Sequence, residues 1–114
     1  MEVAIVLKSD PFSWKAIQAF KIACALSLKT KTFFIALKEG VYFLTDWDPV
    51  ALGYENFKGY EYNPENLVFL VEEDDFKIRN LSEDKIWAKD LKVEFTDEER
   101  IAEILKKSQV VGVW

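Results

Sequence analysis

The sequence predicts a single α/β domain over residues 1–114, a three-layer sandwich in which helices cover both faces of a mainly parallel five-stranded sheet. Short continuous apolar runs at residues 3–7, 32–37 and 67–71 are typical of strands buried on both faces. Segments with helical periodicity or helix-capping residues separate these runs, and this alternation predicts helices on both sides of the sheet. A chain of 114 residues, half of them apolar, can form one core without disulfides or metal.

The first half of the chain predicts a strand, a helix, a second strand and a short helix. Asp10 is expected to cap the first helix and Pro11 to occupy its first position, where no backbone donor is needed. The helical pattern covers residues 12–29, with small alanines on the side that faces the sheet. After the second strand, residues 38–40 form a turn. Residues 41–45 are predicted to form a short helix, because a crossover must follow a parallel strand.

The middle of the chain is less regular. Residues 46–64 contain prolines, glycines and aromatic residues, and they predict an irregular surface region with a helical turn near residues 50–54. After the third strand, an acidic run leads into a short helix at residues 76–80. A second short helix or turn follows at residues 81–87.

The last part of the chain predicts a strand, a helix and a final strand. Residues 91–95 alternate between polar and apolar, as in an edge strand. Thr96 and Glu99 form a capping box that opens a helix to about Lys107. Residues 110–114 form the fifth strand, which completes the order β-α-β-α-β-α-β-α-β.

The composition excludes several classes of function. The chain has no histidine and one cysteine, so the Ser-His-Asp triad, the Cys-His pair, His-ligated metals, zinc clusters and internal disulfides are excluded. A formal charge of −5 without a basic patch argues against direct binding of nucleic acid. The sequence shows neither a signal peptide nor an apolar stretch of the roughly 18 residues that a membrane span needs. We therefore expect a cytoplasmic protein that needs no cofactor or metal.

Polar residues after three of the predicted strands form the candidate binding pocket. In open parallel sheets, ligands usually bind beyond the carboxyl ends of the strands. No catalytic role is assigned to these residues. The expected pocket is lined by Ser9, Asp10, Lys38, Glu39, Glu72, Glu73 and Asp74.

Four other features have both a functional and a structural interpretation. Cys24 could be a nucleophile, but its position within a helix favours a buried structural cysteine. Asp46 and Asp48 resemble a magnesium-binding pair of phosphatases, although an aspartate before proline more often forms a turn. The acidic run at residues 72–75 could hold a cation or a phosphorylated aspartate, as in receiver domains, or could be a solvated loop that caps a helix. The aromatic residues between positions 42 and 62 could form a binding surface or fold onto the sheet.

Three segments of the chain together resemble one known family. Residues 34–41, Phe-Ile-Ala-Leu-Lys-Glu-Gly-Val, form a strand and a glycine-containing turn, and residues 77–81, Lys-Ile-Arg-Asn-Leu, end the helix after the third strand. The tail from Phe95 runs through a helix and a short strand to Trp114. These segments resemble the DsrE/DsrF/DsrH family, which includes the Tus proteins of bacterial sulfur relay; Asn80 stands where that family usually has glycine. The tail is most similar to the DsrH/TusB branch, whose chains also end on tryptophan.

The resemblance implies a small parallel α/β fold, obligate oligomers and a role in sulfur metabolism such as tRNA thiolation. The active DsrE/TusD chain carries a cysteine just after strand three, which accepts sulfur as a persulfide. Alignment from Arg79 places Glu72 at that position, and a carboxylate cannot carry sulfane sulfur. We therefore expect a non-catalytic DsrH/TusB-like subunit whose partners are DsrE/TusD-like and DsrF/TusC-like chains. The alternatives are a small-molecule or metal-binding domain and a homo-oligomeric structural or regulatory protein.

Overall fold

The computed structural model describes residues 1–45, 60–86 and 92–114. The helical turn predicted near residues 50–54 and the aspartates Asp46 and Asp48 lie outside these residues. In chain order the described elements are β1 Glu2–Leu7, α1 Trp14–Ser27, β2 Lys31–Ala36, the 3₁₀ helix η1 Lys38–Leu44, β3 Leu67–Glu72, α2 Glu73–Ile78, the 3₁₀ helix η2 Glu83–Lys85, β4 Lys92–Thr96, α3 Glu98–Lys107 and β5 Val110–Val113.

All five strands are parallel, and they lie in the order β4-β3-β2-β1-β5. The first four strands are added in one direction along the sheet, so right-handed crossovers place α1, η1 and α2 on one face. The chain then returns from β4 to β5 at the other edge, and the same handedness places α3 on the opposite face. The predicted α/β class and the five-stranded parallel sheet between helical layers are confirmed.

The larger part of the core lies between the sheet and α1. Ala16, Ala19 and Ala23 are fully buried, and their small side chains let α1 lie close to the strands. Aromatic rings fill the core between α1 and the sheet, where the ring centroids of Phe20 and Phe43 lie 5.3 Å apart. Side chains alternate between the two faces along each strand, so a shift of one residue in register would exchange the two cores.

The opposite face of the sheet has a thinner core, which α3 covers. Ile101 is buried against the strands, and Ile104 and Leu105 pack beside it. Charged residues fill the outer side of α3, as expected for a helix with one face on a sheet and the other in solvent.

Gly40 allows η1 to lie directly against the end of β1. A Cβ atom at this position would lie 2.1 Å from the carbonyl oxygen of Leu7. That oxygen also accepts a hydrogen bond from the backbone N–H of Leu37 at 3.0 Å, so it cannot move away without loss. Glycine is therefore required here by the close approach of two backbones.

The predicted start of α1 is wrong. The helix is capped by Ser13, whose hydroxyl accepts a hydrogen bond from a backbone N–H of the first turn. Asp10, the expected cap, instead accepts a hydrogen bond from the backbone N–H of Phe12 at 2.9 Å. This bond completes a separate turn before the helix, so Pro11 lies in that turn and not at the first helical position.

The cap of α3 and the starts of two short helices also differ from the prediction. Asp97 caps α3 by accepting a hydrogen bond from the backbone N–H of Arg100 at 2.9 Å, whereas Thr96 ends β4 and is buried. The acidic run forms the first turn of α2, which therefore begins at Glu73. Likewise η1 begins at Lys38 and includes the predicted turn.

The described helices are short, and α1 is the longest of them at 14 residues. Within the described ranges, no helix has both the length and the apolar character that a bilayer crossing requires.

Candidate functional site

The carboxyl ends of β3 and β4 mark the point where the chain leaves the sheet toward opposite faces. β3 leads into α2, whose Phe76 is buried on the α1 side, and β4 leads into α3, whose Ile101 is buried on the other side. Glu72 and Thr96 end these two strands and are neighbours in the sheet register. Ligands of parallel α/β sheets bind in the crevice that forms where the connections diverge in this way. The β3–β4 end is therefore the candidate site.

Glu72 is a buried acidic residue at this point, with only 2% of its surface exposed. Its Oε2 atom accepts a hydrogen bond from the backbone N–H of Asp75 at 2.6 Å and so caps α2. Its Oε1 atom is buried without a hydrogen-bond partner. Because a buried polar atom without a partner destabilises the fold, Oε1 is the atom of the site that a donor group would satisfy.

A network of polar contacts joins the ends of β2 and β3. Asp75 accepts a hydrogen bond from the backbone N–H of Lys38 at 2.8 Å. The Arg79 guanidinium donates to the backbone carbonyl of Asp75 at 3.0 Å and to Oε1 of Glu39 at 2.9 Å. The bond to Glu39 is the main cause that raises the pKa of Arg79 above its ordinary value. Arg79 therefore holds η1 and α2 together as a fixed positive charge.

Two residues of this network region have left-handed backbone conformations. Lys38 has a φ of 52° at the start of η1, and Asn80 has a φ of 56° just after α2. Asparagine tolerates this conformation better than most residues, whereas glycine adopts it without steric cost. The conformation gives a physical reason why Asn80 can stand where the resembling family usually has glycine.

A groove lies on each side of this end of the sheet. On the α2 side, a groove of about 350 Å³ is lined by Glu73, Phe76 and Phe95, among others. On the α3 side, a groove of about 210 Å³ has Lys38 and Asp75 in its wall, together with apolar residues of α3. Glu73 and Asp75, which follow Glu72 in the chain, therefore lie in the walls of two different grooves.

The structure brings some of the predicted pocket residues together and separates others. Lys38 and Glu39 are joined to the run that includes Glu72, Glu73 and Asp74 through the contacts of Asp75 and Arg79. Ser9 and Asp10 follow β1, which β2 separates from β3 in the sheet. That these seven residues bind a ligand remains a prediction.

Arg79 and Thr96 are residues of the site that the pocket prediction missed. Arg79 lies at the end of α2, seven positions after Glu72, the strand end where the prediction was centred. Its place in a Lys-Ile-Arg-Asn-Leu segment was the only sequence signal for it. Thr96 becomes a neighbour of Glu72 only through the strand order, which the sequence pattern does not contain.

Cys24 is buried in α1, as expected for a structural cysteine, and is only 2% exposed. Burial raises the pKa of its thiol to about 12. Since the thiolate is the nucleophilic form of cysteine, this side chain is unreactive near neutral pH.

The chemistry available at the candidate site is that of carboxylates, the Arg79 guanidinium and lysine ammonium groups such as that of Lys38. These groups can accept or donate hydrogen bonds and can position a charged or polar group, but they supply no sulfur nucleophile. Across residues 1–45, 60–86 and 92–114, no three or more acidic or cysteine side chains are grouped closely enough to hold a metal ion.

Comparison with known proteins identifies the fold. No family model matches the chain, and no curated protein matches it either. Among solved structures, the ychN protein from E. coli matches with a TM-score of 0.72 over 100% of this chain and 99% of that one, at 13% sequence identity. That structure has a DsrE/DsrF-like fold. The chain therefore has a DsrE/DsrF-like α/β fold.

Proposed function

We propose that this chain is a non-catalytic, DsrH/TusB-like subunit of a sulfur-relay complex, which assists persulfide transfer by a cysteine-bearing partner chain. One observation carries the proposal. Glu72 lies at the end of β3, where the active chain of the resembling family has its sulfur-carrying cysteine, and it is built into the fold as the cap of α2. The DsrE/DsrF-like fold of the chain supports the wider assignment.

The chemistry of sulfur relay explains why Glu72 excludes the catalytic role. In persulfide transfer, a thiolate attacks the outer sulfur of a donor persulfide, a new S–S bond forms, and the donor leaves as a thiolate. A carboxylate oxygen cannot form this bond, and Cys24 is both protonated and buried. The chain's contribution is therefore structural, through the surface that it offers to a partner.

Exposed apolar side chains near the carboxyl ends of the strands supply such a surface. Trp14, at the start of α1, is 69% exposed, and Ile78, at the end of α2, is 79% exposed. Large exposed apolar side chains are typical of the anchors that protein interfaces bury.

The experiment is co-purification of the full chain with a cysteine-bearing DsrE-like chain encoded by the same genome. We expect a stable complex that the Trp14→Ser and Ile78→Ser variants weaken at least tenfold. The matched control is Leu28→Ser. It removes an exposed apolar side chain at the other end of α1, near the amino ends of the strands, and should leave the complex intact. A chain that stays alone with every DsrE-like partner would contradict the proposal.

A further inference from the structure

The two edges of the sheet are protected very differently. On the β4 edge, Lys92 lies 3.8 Å from Glu65, and Glu94 lies 2.8 Å from Arg100. Charged side chains on an edge strand oppose pairing with another chain. β5, at the other edge, has the sequence Val-Val-Gly-Val and carries neither charge nor proline.

β5 is also exposed, and its backbone hydrogen bonds to β1 extend beyond its four residues. Val110, Val111 and Val113 are 49%, 44% and 55% exposed. The backbone N–H of Gln109 donates to the carbonyl of Glu2 at 2.9 Å, and that of Trp114 donates to the carbonyl of Val6 at 2.8 Å. The pairing with β1 therefore extends one residue beyond each end of β5. In the described part of the chain, no strand pairs with the outer side of β5, so its outward backbone groups are open to a further strand.

The register with β1 shows which face each β5 side chain occupies. Val110 and Gly112 are neighbours of Val3 and Ile5, whose side chains point to the α1 side. Val111 and Val113 are neighbours of Ala4 and Val6, which point to the α3 side.

Trp114 also packs against the α1-side core. Its ring lies over Gly112, because a Cβ atom there would lie 2.4 Å from it.

We propose that a second copy of this chain covers this edge, through antiparallel pairing of β5 with β5 of the second copy around a two-fold axis at Gly112. Residues opposite each other in an antiparallel pair point to the same face, which restricts the possible registers. The axis at Gly112 places Val111 of each copy opposite Val113 of the other copy, on the α3 side. It also places Val110 opposite Trp114 on the α1 side, and glycine opposite glycine at the centre.

The self-complementarity of this register is the reason to infer a second copy and not an unrelated strand. Each exposed valine meets an apolar partner supplied by the same sequence, as an isologous interface requires. A register centred on Val111 would instead place Gln109 opposite Val113 and Ser108 opposite Trp114, so each of these pairs would join a polar residue to an apolar one. The proposal concerns the β5 edge alone and does not depend on the sulfur-relay function.

The first test is the mass of the full chain in solution, measured by light scattering across a concentration series. We expect a dimer for the natural chain and a monomer for Val111→Lys, which places a charge next to the centre of the pairing. The matched control Ile78→Lys adds a charge at an exposed apolar position outside β5 and should remain a dimer. A natural chain that is monomeric at every concentration, or a Val111→Lys dimer, would overturn the proposal.

The second test measures the register by disulfide crosslinking in a Cys24→Ala background. Opposite residues in an antiparallel pair lie within the Cα separation that a disulfide needs. The double variant Val111→Cys/Val113→Cys should therefore form a covalent dimer upon mild oxidation, at least tenfold faster than either single variant. Equal rates for the single and double variants, or a crosslink only to an added DsrE-like chain, would contradict the β5–β5 pairing.

Discussion

Oε2 of Glu72 accepts a hydrogen bond from the backbone N–H of Asp75 at 2.6 Å, and this bond turns the end of β3 into the start of α2. The alignment from Arg79 places the same side chain where the resembling family carries sulfur. The position therefore has a structural role here, and its consequences can be measured through stability as well as through chemistry.

Replacing Glu72 with alanine should destabilise the fold through loss of the α2 cap. Removing a capping side chain costs about 0.5–2 kcal/mol. Loss of the unpartnered Oε1 atom offsets part of this cost. Urea denaturation followed by circular dichroism gives the free energy of unfolding. Glu73→Ala is the matched control, since Glu73 makes only an exposed ion pair with Lys77, and its effect should be smaller. Equal losses for the two variants would mean that the cap contributes nothing.

Replacing Arg79 with methionine should loosen the contact between η1 and α2. The guanidinium makes hydrogen bonds to Glu39 and to the backbone of Asp75, so we expect a loss of about 1 kcal/mol. Arg79→Lys should not restore it, because an ammonium cannot reproduce the forked geometry. Lys77→Met is the matched control, because it removes an exposed charge two residues before Arg79. It should have the smaller effect in the same denaturation assay. Full rescue by lysine would show that only the charge matters.

Replacing Gly40 with alanine should be more damaging than the same substitution at Gly112. The added Cβ would meet the backbone carbonyl of Leu7 at 2.1 Å, and backbone cannot rotate away. We expect a loss of about 2 kcal/mol or more in the free energy of unfolding. Gly112→Ala meets the ring of Trp114, a side chain that can move, and should cost less. The reverse order of thermal midpoints would contradict this packing.

The stability contributed by Cys24 should fall as the pH rises above about 9. Burial raises the pKa of this thiol from 9.0 to about 12, so between these values the unfolded chain loses the proton and the folded chain keeps it. The unfolded state then binds fewer protons, and stability decreases with pH. Relative to Cys24→Ala, the natural chain should lose stability between about pH 9 and about pH 12, because other titrating groups are common to both proteins. A constant difference across that interval would show that the thiol ionises equally in both states.

The three central strands were largely predictable from the sequence because they are buried on both faces. The runs around Ile5, Phe34 and Phe69 consist of apolar residues without interruption, and a parallel sheet is the structure that buries such runs. The caps were less predictable, since neighbouring residues compete for the same role. Asp10 and Ser13 are both good capping residues, and only the turn that Asp10 makes with Phe12 decides between them.

The candidate site was predicted only in part, because it depends on the order of the strands. The pattern located Glu72 at a strand end, yet it did not show that β5 would lie beside β1 or that β4 would lie beside β3. The pairing of Glu72 with Thr96 and the divergence of α2 and α3 follow from that order. Arg79 reaches the site through a long side chain, and such contacts leave no periodic signal in the sequence.

The most direct test of the account is to follow sulfur by intact-protein mass spectrometry. The full chain is mixed with a cysteine-bearing DsrE-like chain and a small persulfide donor, and each chain is weighed before and after addition of a reducing agent. The account predicts a reducible gain of one sulfur atom on the partner only, with more of it when this chain is present, and no gain on this chain. A persulfide on Cys24 of the natural chain, at a rate comparable with the partner's, would contradict the central claim.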